Sequence, residues 1–141
     1  MSSSKIPAQP VIREILQNCH TIAVVGLSSR KQRPGYYVPE YLQAAGYRII
    51  PVNPELENAL GEKAYPDLAS VPEQIDLVLI FRRSEFVPPI VKQAIAVGAR
   101  AVWMQQGILH EAAAVEAQAA GLLVVMDACM MVEHRRFQAN P

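Results

Sequence analysis

The sequence has few cysteines and no surplus of charge of either sign. Only Cys19 and Cys129 occur among 141 residues, too few for the disulfide framework of a small secreted domain. Thirteen Lys and Arg residues balance thirteen Asp and Glu residues, so the chain has no overall positive field that would attract DNA or RNA. These absences disfavour an extracellular disulfide scaffold and a nucleic-acid partner.

Targeting segments, membrane spans and metal-binding patterns are also missing. The start, MSSSKIPAQP, lacks the cationic and apolar blocks of a secretory signal, and no apolar run approaches the roughly 20 residues that span a bilayer. His20, His110 and His134 are scattered without metal spacing, and the last two are interpreted as surface residues. We therefore expect a cytoplasmic protein without a membrane partner, and we assign no metal site and no catalytic residue.

Length and composition indicate one domain with a sizeable core. The chain has 51% hydrophobic and 18% charged residues, which is the composition of a globular protein rather than a disordered one. We expect a flexible N-terminal arm over residues 1–10, a folded domain over residues 11–136 and a C-terminal tail over residues 137–141.

Short apolar segments alternate with segments of helical periodicity. A short amphipathic helix is predicted over residues 11–19, and a further edge strand around Ala64 and Tyr65. The main predicted strands are TIAVVG, YRIIPVNP, IDLVLIF, ARAVWMQ and LLVVMD. Strands that alternate with helices predict an α/β fold, a Rossmann-like doubly wound and mainly parallel sheet of five or six strands in a single domain.

In an open parallel sheet, ligands bind beyond the carboxyl ends of the strands, so the residues after each strand are the candidates for a binding site. After the first strand, Gly26 allows the backbone to approach a ligand closely, Ser28 adds a hydroxyl donor, and the next helix supplies unpaired N–H groups. A glycine-containing loop can also serve only to turn the chain. Three cations in the same loop favour phosphate binding: Arg30, Lys31 and Arg33.

The first loop departs from the dinucleotide fingerprint Gly-x-Gly-x-x-Gly. Ser28 holds the place of the second glycine, and Gly35 comes too late in the sequence for the third. At the end of the second strand, where NAD enzymes carry an acidic residue, stands Asn53, which leaves no acid beside a ribose. These departures disfavour NAD, whereas NADP stays open because arginines can hold a 2′-phosphate.

Polar residues also follow the later strands. Arg82 and Arg83 come directly after a buried strand, where arginines either recognise phosphate in a bidentate manner or pair with neighbouring carboxylates. Gln105 ends the next strand, at a position where it can meet a ligand amide. Cys129 stands after the last strand at the start of a helix, where a thiol is either reactive or buried and inert.

Six segments in chain order resemble the CoA-binding domain family, the Rossmann-type module that also forms the N-terminal part of the succinyl-CoA synthetase alpha subunit. They are IAVVGLSS, YRIIPVNP, GEKAYPDLASVP, DLVLIFRRSEFVPPIV, AVWMQQGI and DACMMVEH, within residues 22–133. The resemblance implies a small stand-alone protein that binds coenzyme A or an acyl-CoA without catalysis. The chain ends before the synthetase's second domain, which carries a phosphorylated histidine, so we expect no ligase activity.

The resemblance also implies which residues line a basic crevice. The first loop would hold the phosphates, the end of the second strand would face the adenosine, and the two last turns would lie on the pantetheine side. The implied set is Gly26, Leu27, Ser28, Ser29, Arg30, Lys31, Arg33, Val52, Asn53, Pro54, Phe81, Arg82, Arg83, Gln105, Gln106, Gly107, Asp127, Ala128, Cys129 and Met130. Arg82 and Arg83 replace a small proline-containing turn of the synthetase, so the pose of the phosphates there differs.

Three hypotheses for function stay open. The first is non-catalytic binding of coenzyme A, which the basic strand ends and Asn53 favour. The second is an NAD(P)-dependent oxidoreductase, which only the architecture suggests. The third is an interaction module that senses CoA, through a mixed disulfide between Cys129 and the ligand thiol. A homodimer stays open in each case.

Overall fold

The computed structural model describes residues 9–141, and its first helix is built on apolar residues at helical spacing. Helix α1 (Gln9–Asn18) buries Ile12, Ile15 and Leu16 on one face. It begins two residues earlier than the sequence pattern predicts, so Gln9 and Pro10 belong to the helix and not to the predicted arm. The rest of that arm, residues 1–8, lies outside the described residues.

Strands and helices alternate through the rest of the described chain, as the sequence predicts. The strands are β1 (Thr21–Val25), β2 (Arg48–Val52), β3 (Asn58–Ala59), β4 (Glu62–Lys63), β5 (Leu77–Ile80), β6 (Ala101–Met104) and β7 (Leu123–Val125). The remaining α-helices are α2 (Pro34–Ala44), α3 (Val87–Ala96), α4 (Glu111–Ala119) and α5 (Met130–Ala139). Helix α5 runs through Phe137 into the predicted C-terminal tail, which leaves only Asn140 and Pro141 beyond it.

Five of these strands form a parallel sheet in the order β2-β1-β5-β6-β7. Strand β1 pairs on both sides, with Val24 opposite Pro51 of β2 and Leu79 of β5. Beyond β2 a single parallel bridge joins Val52 to Tyr65, at the position of the predicted edge strand. The Rossmann-like doubly wound fold is therefore confirmed, with its sixth strand reduced to one bridge. Before that bridge, β3 and β4 form a small antiparallel hairpin instead of a crossover helix.

Successive residues of each central strand enter two different cores, because side chains alternate across a sheet. Val78 and Ile80 of β5 pack on the face that α3 and α4 cover. Leu77 and Leu79 of the same strand pack on the other face, with α1, α2 and α5. Burial on both faces explains why the strand sequences are continuously apolar. None of the helices in residues 9–141 is long and apolar enough to cross a membrane.

His134 of α5 is buried against α2, so its interpretation as a surface residue is wrong. Only 5% of the residue is exposed. Its Nδ1 lies 2.8 Å from the hydroxyl oxygen of Tyr41, and its Nε2 lies 3.2 Å from the Gln138 amide nitrogen. Because that amide nitrogen can only donate, Nε2 accepts, and Nδ1 of the neutral ring donates to Tyr41. Aromatic neighbours, including Tyr47 at 5.7 Å between ring centres, exclude water from the site.

We expect the stability of the fold to decrease when the medium is acidified. Burial lowers the pKa of His134 below its ordinary value of 6.5. The unfolded chain therefore binds more protons than the folded one near pH 6, and the stabilising contribution present above pH 6.5 is lost as the pH falls through the folded pKa. Urea unfolding between pH 8 and pH 5 should show this loss, and His134→Gln should flatten the curve. The exposed His20, changed to Gln, is the control; an equal flattening there would contradict the assignment.

Candidate functional site

A cavity of about 720 Å³ lies beyond the carboxyl ends of the parallel strands, and residues that follow β1, β2, β5, β6 and β7 all contribute to it. We call this cavity the crevice. It is lined by Gly26, Leu27, Ser28, Ser29, Arg30, Arg33, Pro34, Gly35, Tyr37, Asn53, Glu55, Leu56, Phe81, Gln105, Gln106, Ile108 and Cys129. A smaller cavity of about 370 Å³, the side cavity, shares Gly26, Asn53 and Glu55 with it.

Gly26 fixes the path of the first loop across the sheet. Its φ of +88° is in the left-handed region that favours glycine. Its N–H donates to the carbonyl oxygen of Val52 at 2.9 Å. A Cβ added at Gly26 would lie 3.1 Å from both the Phe81 carbonyl oxygen and Cδ of Arg82. The loop therefore crosses between the ends of β2 and β5 with no room for a side chain.

Gly35 lies beside Gly26 in space, although the sequence spacing excluded it as part of a glycine fingerprint. The N–H of Ser28 donates to the Gly35 carbonyl oxygen at 3.0 Å. A Cβ added at Gly35 would already contact the Gly26 carbonyl oxygen at 3.4 Å. Residues 29–33 extend the loop and return the chain to the same place, so Gly35 lies beside Gly26, close enough for an added Cβ to make ordinary van der Waals contact. The sequence spacing still departs from the dinucleotide fingerprint.

The first turn of α2 borders the crevice with its N-terminal end. The helix begins at Pro34, after Arg33 at the N-cap, and no side chain of the described residues caps it. A helix N-terminus carries partial positive charge and attracts anions. Arg30 and Arg33 line the crevice, whereas Lys31 is exposed outside its lining. Ser28 contributes to the shape of the loop, because its hydroxyl oxygen accepts from the N–H of Arg30 at 3.0 Å.

Asn53 joins the first loop to the end of β2. Its Nδ2 donates to the Leu27 carbonyl oxygen at 3.0 Å, and its Oδ1 accepts from the N–H of Glu55 at 2.9 Å. One Nδ2 hydrogen and one Oδ1 lone pair stay available to a ligand. Glu55 also lines the crevice, so a carboxylate does stand near this strand end, although Asn53 occupies the fingerprint position itself. Glu55 lies two residues after Asn53, outside the position at which the dinucleotide fingerprint carries its acid.

The two arginines after β5 point away from the crevice. Arg82 lines the side cavity together with Val52 and Pro54, and its guanidinium carbon lies 4.6 Å from the ring centre of Phe86. The guanidinium carbon of Arg83 lies 5.3 Å from the same ring centre, and Arg83 lines neither cavity. Neither arginine forms a salt bridge within residues 9–141. Both cations instead stack on an aromatic face.

The end of the crevice beyond β6 and β7 is built around Gln105, of which only 4% is exposed. Its Oε1 accepts from the N–H of Met130, at the start of α5, at 3.2 Å. Its amide nitrogen has no protein partner among the described residues. Gln106 lines the crevice from an exposed position, and Cys129 does so from a half-buried position at the N-cap of α5.

Four residues of the implied set shape the last two turns without lining the crevice. The Asp127 carboxylate accepts from the N–H of Gly107 at 2.7 Å, and the Ala128 carbonyl oxygen accepts from the Trp103 indole N–H at 2.8 Å. Met130 is fully buried in the core. These turns therefore hold Gln105 and Cys129 in place rather than offering further contacts.

The crevice also contains side chains that sequence reasoning missed. Tyr37 is 39% exposed on the first turn of α2, and Leu56 and Ile108 add apolar surface. The sequence predicts that the N-terminus of this helix borders the site, and Tyr37 follows Pro34 within its first turn. That position was the signal that could have identified Tyr37 as a lining residue. The described residues contain no group of three or more His, Cys, Asp or Glu side chains that could hold a metal ion.

Comparisons with known proteins point to one family. The family model described as a CoA binding domain matches residues 20–135 of the chain. A Bacillus subtilis protein named uncharacterized protein YneT is 43% identical over 128 residues, which cover 91% of this chain and 95% of that protein. The structure of a hypothetical protein from Pyrococcus horikoshii OT3 is similar with a TM-score of 0.90 at 37% identity, over 98% of this chain and 99% of that one.

A longer relative carries a similar segment. The ADP-forming acetate–CoA ligase II of Archaeoglobus fulgidus is 29% identical over 94 residues, which cover 64% of this chain and only 14% of the ligase. The resemblance stated from six sequence segments is thus confirmed over most of the chain, and this protein belongs to the CoA-binding domain family.

Proposed function

We propose that the protein binds coenzyme A or an acyl-CoA in the crevice and catalyses no reaction on it. The observation that carries the proposal is the first loop, where the uncapped N-terminus of α2, Arg30 and Arg33 border one space beside Gly26. Family membership supports the class of ligand, and the charge of this loop supports it as the place for the phosphates.

The charge of the loop suits a CoA molecule. CoA carries a pyrophosphate and a 3′-phosphate, about four negative charges in total near neutral pH. Arg30 and Arg33 supply two guanidinium groups, and the α2 N-terminus adds the partial positive charge of the helix dipole at the same end. Exposed Glu55 at the rim opposes this field only partly, because solvent screens its carboxylate.

The dimensions of the site suit a long ligand. Neighbouring strands lie about 4.8 Å apart, so the distance from the end of β2 to the end of β7 across the sheet is about 19 Å. A ligand anchored by phosphates at the first loop can extend its arm past β5 and β6 towards α5. The volume of about 720 Å³ is within the ordinary range for cofactor sites.

The lining of the crevice supports binding without catalysis. It contains no histidine, and its titratable side chains are Arg30, Arg33, Tyr37, Glu55 and Cys129. A general acid–base pair or an activated nucleophile normally requires a base within hydrogen-bond distance of its partner. The hydrogen bonds and salt bridges of the described residues join none of these five side chains to one another.

Calorimetric titration tests the proposed ligand. We expect CoA to bind more tightly than dephospho-CoA, because the 3′-phosphate adds two charges next to the basic loop, and more tightly than NAD. The differences in affinity between CoA, dephospho-CoA and NAD should become smaller at high salt, because salt screens exposed charges. Absence of CoA binding at millimolar concentration, or tighter binding of NAD or NADP, would overturn the proposal.

Substitutions that each remove one positive charge from the first loop test the proposed phosphate site. We expect Arg30→Gln and Arg33→Gln each to weaken CoA binding about tenfold, the usual effect of losing one charge-assisted hydrogen bond. Lys31→Gln removes the same charge from the same loop outside the lining of the crevice, and it should cost clearly less. Equal losses for all three variants in the titration would show that only the net charge of the loop matters.

Two glycine variants separate the loss of stability caused by a strained backbone from a loss of CoA affinity. Gly26→Ala places a methyl group against the Phe81 carbonyl oxygen, whereas Gly46, with a φ of +107°, has nothing within 4 Å of its Cβ position. Both changes should lower the free energy of unfolding by about 1–2 kcal/mol, because both enforce a left-handed conformation, and Gly26→Ala should lower it further because its methyl group meets neighbouring atoms at 3.1 Å. Only Gly26→Ala should also weaken CoA binding, by more than tenfold. Loss of CoA affinity in Gly46→Ala would contradict this assignment.

A further inference from the structure

The end of the crevice farthest from the basic loop brings a thiol next to an amide without a protein partner. Cys129 lines the crevice at the N-cap of α5, and Gln105 lines it beside that helix. Among the side chains of the described residues, every fully buried polar atom has a hydrogen-bond partner except Oε1 of Glu133, which does not line the crevice. The Gln105 amide nitrogen has no protein partner either, so it cannot be fully buried. Although only 4% of the residue is exposed, this nitrogen is therefore open to the crevice.

The free N–H₂ group faces the crevice, where a ligand can accept its hydrogen bonds in place of water. The Gln105 Oε1 is already fixed by the N–H of Met130, so the N–H₂ group has a fixed direction. An amide carbonyl of an extended ligand arm is a suitable acceptor. In the arm of CoA, the last amide is followed by two carbon atoms and then the thiol, so a hydrogen bond from Gln105 to that amide would deliver the sulfur to this end of the crevice.

We propose, on the basis of the proposed CoA site, that Cys129 exchanges with the disulfide form of CoA and retains one CoA as a mixed disulfide. The Cys129 thiolate attacks one sulfur of the symmetrical CoA disulfide. The bond between the two CoA sulfurs breaks, a bond between Cys129 Sγ and one CoA sulfur forms, and the second CoA leaves as a thiolate. The proton lost by Cys129 goes to solvent, and the leaving thiolate takes up one from solvent, so no other oxidant or reductant is needed.

The surroundings of Cys129 suit this exchange. The N-terminal end of α5 directs partial positive charge towards both the attacking and the leaving sulfur anions. The half-buried position admits a disulfide from the crevice, and the phosphates held at the first loop would confine the reactive sulfur near Cys129.

The second cysteine provides an internal contrast. Cys19 is buried in the core with Ile15 and Leu16, and burial raises the pKa of its thiol to about 11. It lines neither the crevice nor the side cavity. A thiol that ionises so rarely at neutral pH, and that no ligand reaches, should not exchange.

Intact-mass spectrometry after incubation with CoA disulfide, in the absence of reductant, tests the proposal. We expect wild type and Cys19→Ala to gain the mass of one CoA less two hydrogens, Cys129→Ser to gain nothing, and dithiothreitol to reverse the gain. The adduct should form at least about tenfold faster than with glutathione disulfide at equal concentration, and excess acetyl-CoA, which has no free thiol, should slow it. Peptide mapping of the wild-type adduct assigns the site even if Cys19→Ala fails to fold.

The inference would be overturned by any one of these results: no adduct, an adduct on Cys19, equal rates with glutathione disulfide, or lack of protection by acetyl-CoA. Titration of reduced CoA into the wild-type protein in the presence of reductant separates this failure from that of the proposed function. Tight CoA binding without an adduct refutes only the exchange at Cys129. Absence of binding refutes the CoA site itself.

Discussion

Burial of the central strands on both faces is the constraint on which the rest of the structure depends. A strand such as β5, with all of its residues buried, needs helices on each side of the sheet, and each crossover helix returns the chain so that the next strand runs parallel. All five carboxyl ends therefore meet at one edge. The crevice follows from this arrangement: residues far apart in sequence, from Gly26 to Cys129, line one space. The apolar core thus determines where the polar chemistry lies.

Close backbone packing at that edge then determines the shape of the crevice. Gly26 crosses between β2 and β5 without a side chain, and Gly35 brings α2 against it. Asn53 ties the same loop to the end of β2 through its amide. The expected ligand contact of Asn53 and its structural role are compatible, because each side of the amide keeps one hydrogen-bonding position. A substitution here would change the loop geometry and the proposed CoA binding together, so the matched glycine variants are needed to separate the two effects.

The parallel fold and the strand-end residues could be predicted from sequence because hydrophobic patterning is local and parallel strands end at a common edge. Ser28, Arg30, Gln105 and Cys129 were located in this way, and the structure brings them to the crevice. The direction of side chains could not be predicted. Met130 lies in the core, one residue after Cys129 in the crevice, and the difference depends on how α5 packs. Counting along the chain also could not show that Gly35 lies beside Gly26, because residues 29–33 fold back and bring the two glycines together.

A neutral chain can present a basic crevice because its ion pairs are unevenly distributed. Arg48 pairs with Glu62 and Glu73, and Lys92 pairs with Glu116, away from the carboxyl ends of the strands. Exposed pairs of this kind contribute little to stability, but they neutralise cations outside the crevice. The salt bridges of residues 9–141 leave Arg30 and Arg33 without carboxylate partners. The positive field at the first loop is therefore local, and a phosphate that enters the crevice does not have to displace a protein carboxylate from either guanidinium.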